Sequence, residues 1–99
     1  MITKVVVNKN IETKFNKDLK QGLFNVEVRD LIEYWITEIE DLGYEEYCKS
    51  ELFGMLNDHD FKGDRQGQRS ITLDRSGSRL IYSFIKNAIV IKVINITSY

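Results

Sequence analysis

The sequence predicts an α+β domain. An N-terminal strand is followed by two helices, or three if a short helix near residues 44–50 is counted, packed on one face of an antiparallel sheet. Three observations predict this class. A β-branched run opens the chain, apolar residues recur at helical spacing in its middle, and three strand-like runs separated by short turns close it. A chain of 99 residues is long enough for one modest core, so we expect a single domain over residues 1–99.

The first strand and the first helix are predicted from the start of the chain. Residues 3–7 read Thr-Lys-Val-Val-Val, a β-branched run that favours a strand. Asn8 and Asn10 are suitable N-caps for a following helix, and Gly22 is a suitable terminator. The apolar residues of this helix, spaced four apart, are Ile11, Phe15 and Leu19.

The second helix has the strongest periodic signal in the chain. Its apolar residues fall at steps of three and four: Val28, Leu31, Ile32, Trp35, Ile36, Ile39 and Leu42. Asn25 is a suitable cap and Gly43 a suitable terminator, while acidic residues cover much of the remaining surface. The polar, glycine-containing residues 54–68 are predicted to form a loop.

Three strand-like runs close the chain: 69–74, 79–85 and 88–96. Ser76-Gly77 and Lys86-Asn87 supply short turns between them. Because turns this short cannot form parallel crossovers, the three strands should form an antiparallel meander. The helices would cover one face of this sheet and leave the other open.

The composition excludes several classes of protein. With one cysteine and one histidine, the chain cannot form an internal disulfide, and a structural metal site is disfavoured. No signal-like or membrane-spanning apolar run is present, so we expect a cytoplasmic protein with no membrane partner. Neither GxxxxGK[ST] nor GxGxxG occurs, which disfavours a nucleotide cofactor. Cys48 lies among acidic residues, which do not favour a thiolate, and is interpreted as structural.

Charge is segregated along the chain although the net charge is only −1. Residues 1–20 carry +3, residues 21–61 carry −9 and residues 62–99 carry +5. The solvent-exposed faces of helices are enough to explain the acidic middle of the chain. Alternatively, the basic C-terminal third offers a surface to a polyanion.

Candidate functional residues concentrate in the stretch KGDRQGQRSITLDRSGSR, which begins at residue 62. It holds five cations: Lys62, Arg65, Arg69, Arg75 and Arg79. The planar guanidinium group donates two parallel hydrogen bonds, which suits phosphate. Each cation alone could be a solubilising surface residue, but five together favour a phosphate-binding surface. Strand alternation does not decide which of them share the open face.

His59 lies between Asp58 and Asp60, just before this stretch. An imidazole beside carboxylates could act as a general base near neutral pH. It could equally be an ordinary exposed histidine, and the sequence leaves both interpretations open.

These residues carry a resemblance to a known family. Lys62-Gly63-Asp64-Arg65, Gly67-Gln68-Arg69-Ser70-Ile71 and Arg79-Leu80-Ile81-Tyr82 resemble the central motif of RelE/ParE-superfamily toxins of type II toxin–antitoxin systems, in the HigB/RelE-like branch. The helix from residue 28 and the final strand also fit in order and spacing. The resemblance covers the chain well after residue 60 and weakly before residue 25. It implies a RelE-like fold.

The resemblance also implies a function: a ribosome-dependent endoribonuclease that inhibits growth and is neutralised by a cognate antitoxin. Such enzymes need no metal or other cofactor, and cut mRNA in the ribosomal A site by attack of a ribose 2′-hydroxyl on the adjacent phosphate. By resemblance, Arg79 contacts the scissile phosphate and Tyr99 stacks on or orients a base. The RNA backbone would be held by Lys62, Arg65, Arg69 and Arg75.

One departure from the family pattern keeps other functions open. The usual C-terminal His-Asp-Tyr is replaced here by Thr97, Ser98 and Tyr99. His59 could supply the missing acid–base group. Alternatively, the chain is a non-enzymatic protein on the same scaffold, either a ParE-like gyrase inhibitor or an impaired toxin that only binds its antitoxin. A surface-charged domain without a catalytic role is the simplest alternative.

Overall fold

The structure is a computed structural model that describes residues 3–60, 67–85 and 90–98. Within these ranges the helices are α1 (Lys9–Lys20), α2 (Glu27–Leu42), α3 (Tyr44–Tyr47) and α4 (Glu51–Met55). The strands are β1 (Lys4–Val7), β2 (His59–Asp60), β3 (Gln68–Thr72), β4 (Arg79–Ile85) and β5 (Val90–Thr97). The α+β class predicted from the sequence is confirmed.

Helix α1 begins and ends where its sequence predicts. The Asn8 side chain accepts a hydrogen bond from the backbone N–H of Asn10 at 2.8 Å. Gly22 follows the helix with φ +77°, a left-handed conformation that a side chain would oppose. The N–H groups of Gly22 and Leu23 return to the carbonyls of Leu19 and Asp18, the pattern of a Schellman motif.

Helix α2 buries most of the predicted apolar stripe. Its buried residues are Val28, Ile32, Trp35 and Ile39, whereas Leu42 at its end is 44% exposed. Asn25, the predicted cap, accepts a hydrogen bond from the N–H of Glu27 at 3.2 Å. Gly43 ends the helix with φ +82°, and its N–H returns to the carbonyl of Ile39. The stripe therefore faces the sheet while the acidic residues remain largely on the solvent side.

The five strands form one sheet in the order β1-β5-β4-β3-β2. β3, β4 and β5 pair antiparallel, as the predicted meander requires. The sheet as a whole is mixed, because β1 lies parallel to β5 at its edge. The whole of the chain between these two strands serves as their crossover, which is why they can run parallel.

The predicted loop over residues 54–68 is wrong in its first half. Helix α4 extends to Met55, and residues 59–60 form the edge strand β2, which pairs with β3. The short helix predicted near residues 44–50 is present as α3. The predicted turn at Lys86-Asn87 lies outside the described residues. In the part of the chain that the structure describes, no helix is long and apolar enough to cross a membrane.

The core lies between the helices and one face of the sheet. Trp35 of α2 is completely buried against the ring of Tyr82 in β4, with ring centroids 5.1 Å apart. The opposite face, here called the outer face, was predicted to be open. That prediction is wrong at its centre, because Ser70 and Ile81 point to the outer face and are only 1% and 6% exposed.

Candidate functional site

The pairing of the strands decides which arginines face outward. Arg79 lies opposite Thr72 of β3 and Thr97 of β5, and it alternates with buried Leu80. It therefore stands on the outer face and is exposed. This is the placement that contact with a bound polyanion requires.

His59 shares the outer face with Arg79. In the register of the sheet, His59 lies opposite Ser70, Ser70 opposite Ile81, and Ile81 opposite Asn95. Arg79 is two residues along β4 from Ile81. Two strand spacings and two residues of rise separate the Cα atoms of His59 and Arg79 by about 12 Å. Both side chains can thus reach the same bound dinucleotide.

The local contacts of His59 define its neutral tautomer. Its Nδ1 lies 2.7 Å from the carbonyl oxygen of Asn57. Because a carbonyl only accepts, Nδ1 must carry the proton, and in neutral His59 the lone pair is on Nε2. Asn57 itself has φ +51°, a left-handed conformation that asparagine tolerates, and it turns the chain from α4 into β2. A neutral imidazole with its lone pair on Nε2 has the form that a general base needs.

Arg75 lies in the turn between β3 and β4 and is exposed. The turn is closed by the N–H of Ser78, which donates to Asp74 Oδ1 at 3.0 Å, and by the N–H of Leu73, which donates to the carbonyl of Ser78 at 2.7 Å. Arg75 also lines a cavity of about 760 Å³ between this turn and the α1–α2 connection. Arg75 and Arg79 thus belong to one end of the sheet.

Arg69 is placed differently from the other arginines. It lies opposite Tyr82, so it points to the helix-covered face, and its side chain is only 20% exposed. Its Nε donates to Asp58 Oδ1 at 2.8 Å and its Nη1 to Asp60 Oδ1 at 2.6 Å. The guanidinium also lies over the ring of Phe53, 5.4 Å from the centroid. Two carboxylates therefore already hold the group predicted to bind RNA.

Asp58 is the centre of a buried polar cluster. Its side chain is fully buried, and Oδ2 accepts hydrogen bonds from the hydroxyls of Tyr47 at 2.7 Å and Tyr82 at 2.6 Å. Around these, the Trp35 indole N–H donates to the Tyr47 hydroxyl at 2.9 Å, and the Tyr44 and Tyr82 hydroxyls lie 2.9 Å apart. We call these five residues and Arg69 the Asp58 cluster: Trp35, Tyr44, Tyr47, Asp58, Arg69 and Tyr82.

The electrostatics of the Asp58 cluster follow from burial and from the carboxylate. Burial, and then the neighbouring Asp58, raise the pKa of Tyr47 and Tyr82 far above its usual range. Burial also raises the pKa of Tyr44. For Arg69, burial lowers the pKa, but the hydrogen bond and attraction from Asp58 outweigh it and raise the pKa above its usual value. The tyrosines are therefore neutral donors and Arg69 is a permanent cation.

The sequence did not identify this cluster. Trp35 belongs to the predicted apolar stripe and is buried, as is Tyr47. Asp58 was noted only as a neighbour of His59, and no local pattern around it, with Asn57 before it and His59 after it, indicates a buried acid. Cys48 is half-buried, and burial, more than the neighbouring acidic residues, raises the pKa of its thiol.

Three of the predicted site residues, Lys62, Arg65 and Tyr99, lie outside the described residues. Of the others, the structure brings His59 and Arg79 to the outer face, with Arg75 at the adjoining turn, and separates Arg69 from them. Across residues 3–60, 67–85 and 90–98, no group of three or more His, Cys, Asp or Glu side chains could hold a metal ion.

Known proteins resemble this chain in fold. No family model and no curated sequence matches it. A copper-bound mutant toxin from Helicobacter pylori is 19% identical with a TM-score of 0.65, over 100% of this chain and 96% of that one. The YoeB/ParE toxin from Agrobacterium tumefaciens is 16% identical with a TM-score of 0.64, over 98% and 99%. A mutant of the E. coli toxin RelE in the free state is 19% identical with a TM-score of 0.62, over 99% and 84%.

The chain therefore has the fold of the RelE, YoeB and ParE toxins, over its full length. Its resemblance to this superfamily, inferred from the motif after residue 60, is confirmed at the level of the fold. The assignment to the HigB-like branch stays a prediction.

Proposed function

We propose that this chain is the toxin of a type II toxin–antitoxin system and acts as an endoribonuclease on mRNA at the ribosome. The observation that carries the proposal is that His59 and Arg79 are both exposed and lie on the same face, the outer face, of the sheet in a RelE-like fold. A base and a cation on one face are the minimum that 2′-hydroxyl chemistry requires. The cognate antitoxin, expected from an adjacent gene, is the proposed protein partner.

In the proposed reaction, the ribose 2′ oxygen attacks the adjacent phosphorus and the bond to the 5′ oxygen breaks. His59 Nε2 accepts the 2′ proton, and the leaving 5′ oxygen takes a proton from water. Arg79 stabilises the additional negative charge that the phosphorane carries. The products are a 2′,3′-cyclic phosphate and a 5′-hydroxyl end. DNA lacks the 2′-hydroxyl and is not a substrate.

The test is induced expression in a bacterial host, followed by mapping of the 5′ ends of cellular mRNA. The parent should produce cuts in phase with codons. Arg79→Ala and His59→Gln should each lower the frequency of these cuts by about a hundredfold or more, because each removes a group that acts in the transition state. Lys17→Ala is the matched control, since it removes one exposed cation from α1, on the helix side of the molecule.

A non-enzymatic toxin on the same scaffold is the second candidate, and one observation favours it. Thr97 lies directly opposite Arg79, and Thr97 stands where the resemblance expects an acid–base residue. A threonine hydroxyl is neither an effective acid nor an effective base near neutral pH. Growth arrest with intact transcripts would favour this candidate, and loss of plasmid supercoiling in the arrested cells would identify gyrase as the target.

A further inference from the structure

Strand β2 lies at the edge of the sheet, so β3 is its single strand neighbour. Among its described residues, His59 lies opposite Ser70 and Asp60 opposite Arg69. Side-chain contacts between paired strands add to the stability of the pairing. The position of His59 on the outer face therefore depends in part on a side-chain interaction between these two strands.

Arg69 supplies that interaction from the opposite side of the sheet. Its guanidinium binds Asp58 through Nε and Asp60 through Nη1, the two residues that flank His59 in sequence. Alternation along β2 directs both carboxylates towards the helix face and the imidazole towards the outer face. One side chain thus fixes the backbone on both sides of His59.

The anchor of this arrangement is buried, so solvent does not screen it. The Asp58 side chain is fully buried, whereas that of Asp60 is 70% exposed. The hydroxyls of Tyr47 in α3 and Tyr82 in β4 hold Asp58 from two further elements. Removing one partner of a salt bridge that includes a buried carboxylate is far more destabilising than removing one partner of a surface pair, because the remaining charge is left buried and unpaired.

We propose that Asp58 and Arg69 are positioning residues that clamp β2 to β3 and thereby hold His59 on the outer face, and that Arg69 does not bind the RNA backbone. Any effect of Asp58 and Arg69 on RNA cleavage rests on the proposed function. Their effect on the position of β2 does not, because it is a property of the free protein.

The first test measures local order in the free protein. His59 is the single histidine of the chain, so its imidazole resonances are unambiguous. In Arg69→Met, which keeps the aliphatic stem, the nuclear Overhauser contacts of His59 with Ser70 should disappear. Hydrogen exchange of the amides that pair β2 with β3 should accelerate about tenfold or more, the factor expected for one lost charged hydrogen bond.

Tyr44→Phe is the matched control. It removes a hydroxyl of the same cluster that contacts Tyr82 but not Asp58. It should leave the His59 contacts in place. The ratio of the exchange rates in β2 to those in β4 should stay within about threefold of the ratio in the parent. If hydrogen exchange in β2 and in β4 accelerates by equal factors in the Arg69 variant, the Asp58–Arg69 salt bridge stabilises the core as a whole, and the proposal is overturned. Should Arg69→Met not fold, Arg69→Lys decides by the same ratio, because one ammonium cannot reproduce both contacts.

The second test separates positioning from RNA binding. If the parent cleaves RNA, Arg69→Lys and Asp58→Asn should lower kcat by about tenfold or more and leave KM within about twofold. A rise in KM with unchanged kcat in the Arg69 variant would instead identify it as an RNA contact. A parent that does not cleave RNA would refute the proposed function, while the exchange experiment would still decide the clamp.

Discussion

Replacement of Tyr82 by Phe tests the Asp58 cluster with little change in volume. The variant loses the hydroxyl that donates to Asp58 Oδ2 at 2.6 Å and contacts the Tyr44 hydroxyl at 2.9 Å. A hydrogen bond to a charged group contributes about 1.5–3 kcal/mol and a neutral one about 0.5–1.5 kcal/mol. The ring remains against Trp35, so no cavity forms. We therefore expect the free energy of unfolding to fall by about 2–4 kcal/mol.

This loss is a large share of the stability of a domain of this size, which is about 5–15 kcal/mol. Urea unfolding followed by the fluorescence of Trp35, the single and completely buried tryptophan, measures it directly. The midpoint should shift while the slope with urea stays constant. Tyr34→Phe is the control, because Tyr34 is 56% exposed, and it should change the stability by less than about 0.5 kcal/mol. A Tyr82→Phe protein as stable as this control would refute the hydrogen-bond network.

Three further predictions concern stability. The pKa values of buried Tyr47 and Tyr82 and of half-buried Tyr44 are raised above the usual value of 10.0, so their contribution to stability is complete below pH 10 and is lost above it. The loss is up to about 1.4 kcal/mol per pH unit for each of the two buried tyrosines; urea unfolding between about pH 9 and pH 11 measures this, and a flat profile contradicts it. Gly43→Ala should lower the free energy of unfolding by about 1–3 kcal/mol, because Gly43 has a φ of +82°. Gly54 lies in a helix with open space around the position of an added Cβ, so Gly54→Ala should be neutral or stabilising. Equal thermal midpoints for the two variants would exclude backbone strain at Gly43. Asn8→Ala should cost about 1 kcal/mol through loss of the α1 cap, seen as a lower urea midpoint, and an unchanged midpoint would mean that this cap is dispensable.

The parts of the fold that the sequence predicted are those determined by local patterns. The stripe of α2 repeats over four turns, so its period defines both the helix and its buried face. The termini of α1 are likewise set by residues beside them, Asn8 and Gly22. The meander followed from turns too short to allow any other connection.

The parts that the sequence missed depend on partners distant along the chain. β2 is polar and two residues long, and it is a strand only because β3 lies beside it. The direction of β1 is set by β5, more than 80 positions later. The face that Arg69 occupies is decided by its register with Tyr82, and no local pattern contains that register.

The same register explains why counting charges overestimated the basic surface. The last 38 residues carry +5, but Arg69 is neutralised by Asp58 and Asp60, which come from the acidic middle of the chain. Among the described residues of that basic third, Arg75, Arg79 and Lys92 remain exposed. Each phosphate contact contributes about 0.7 to the salt dependence of binding to single-stranded RNA, so these three give a slope of only about 2. The other three cations of that third, Lys62, Arg65 and Lys86, lie outside the described residues. The charge that the described surface offers to a polyanion is therefore set by strand register and by salt bridges, and composition alone does not give it.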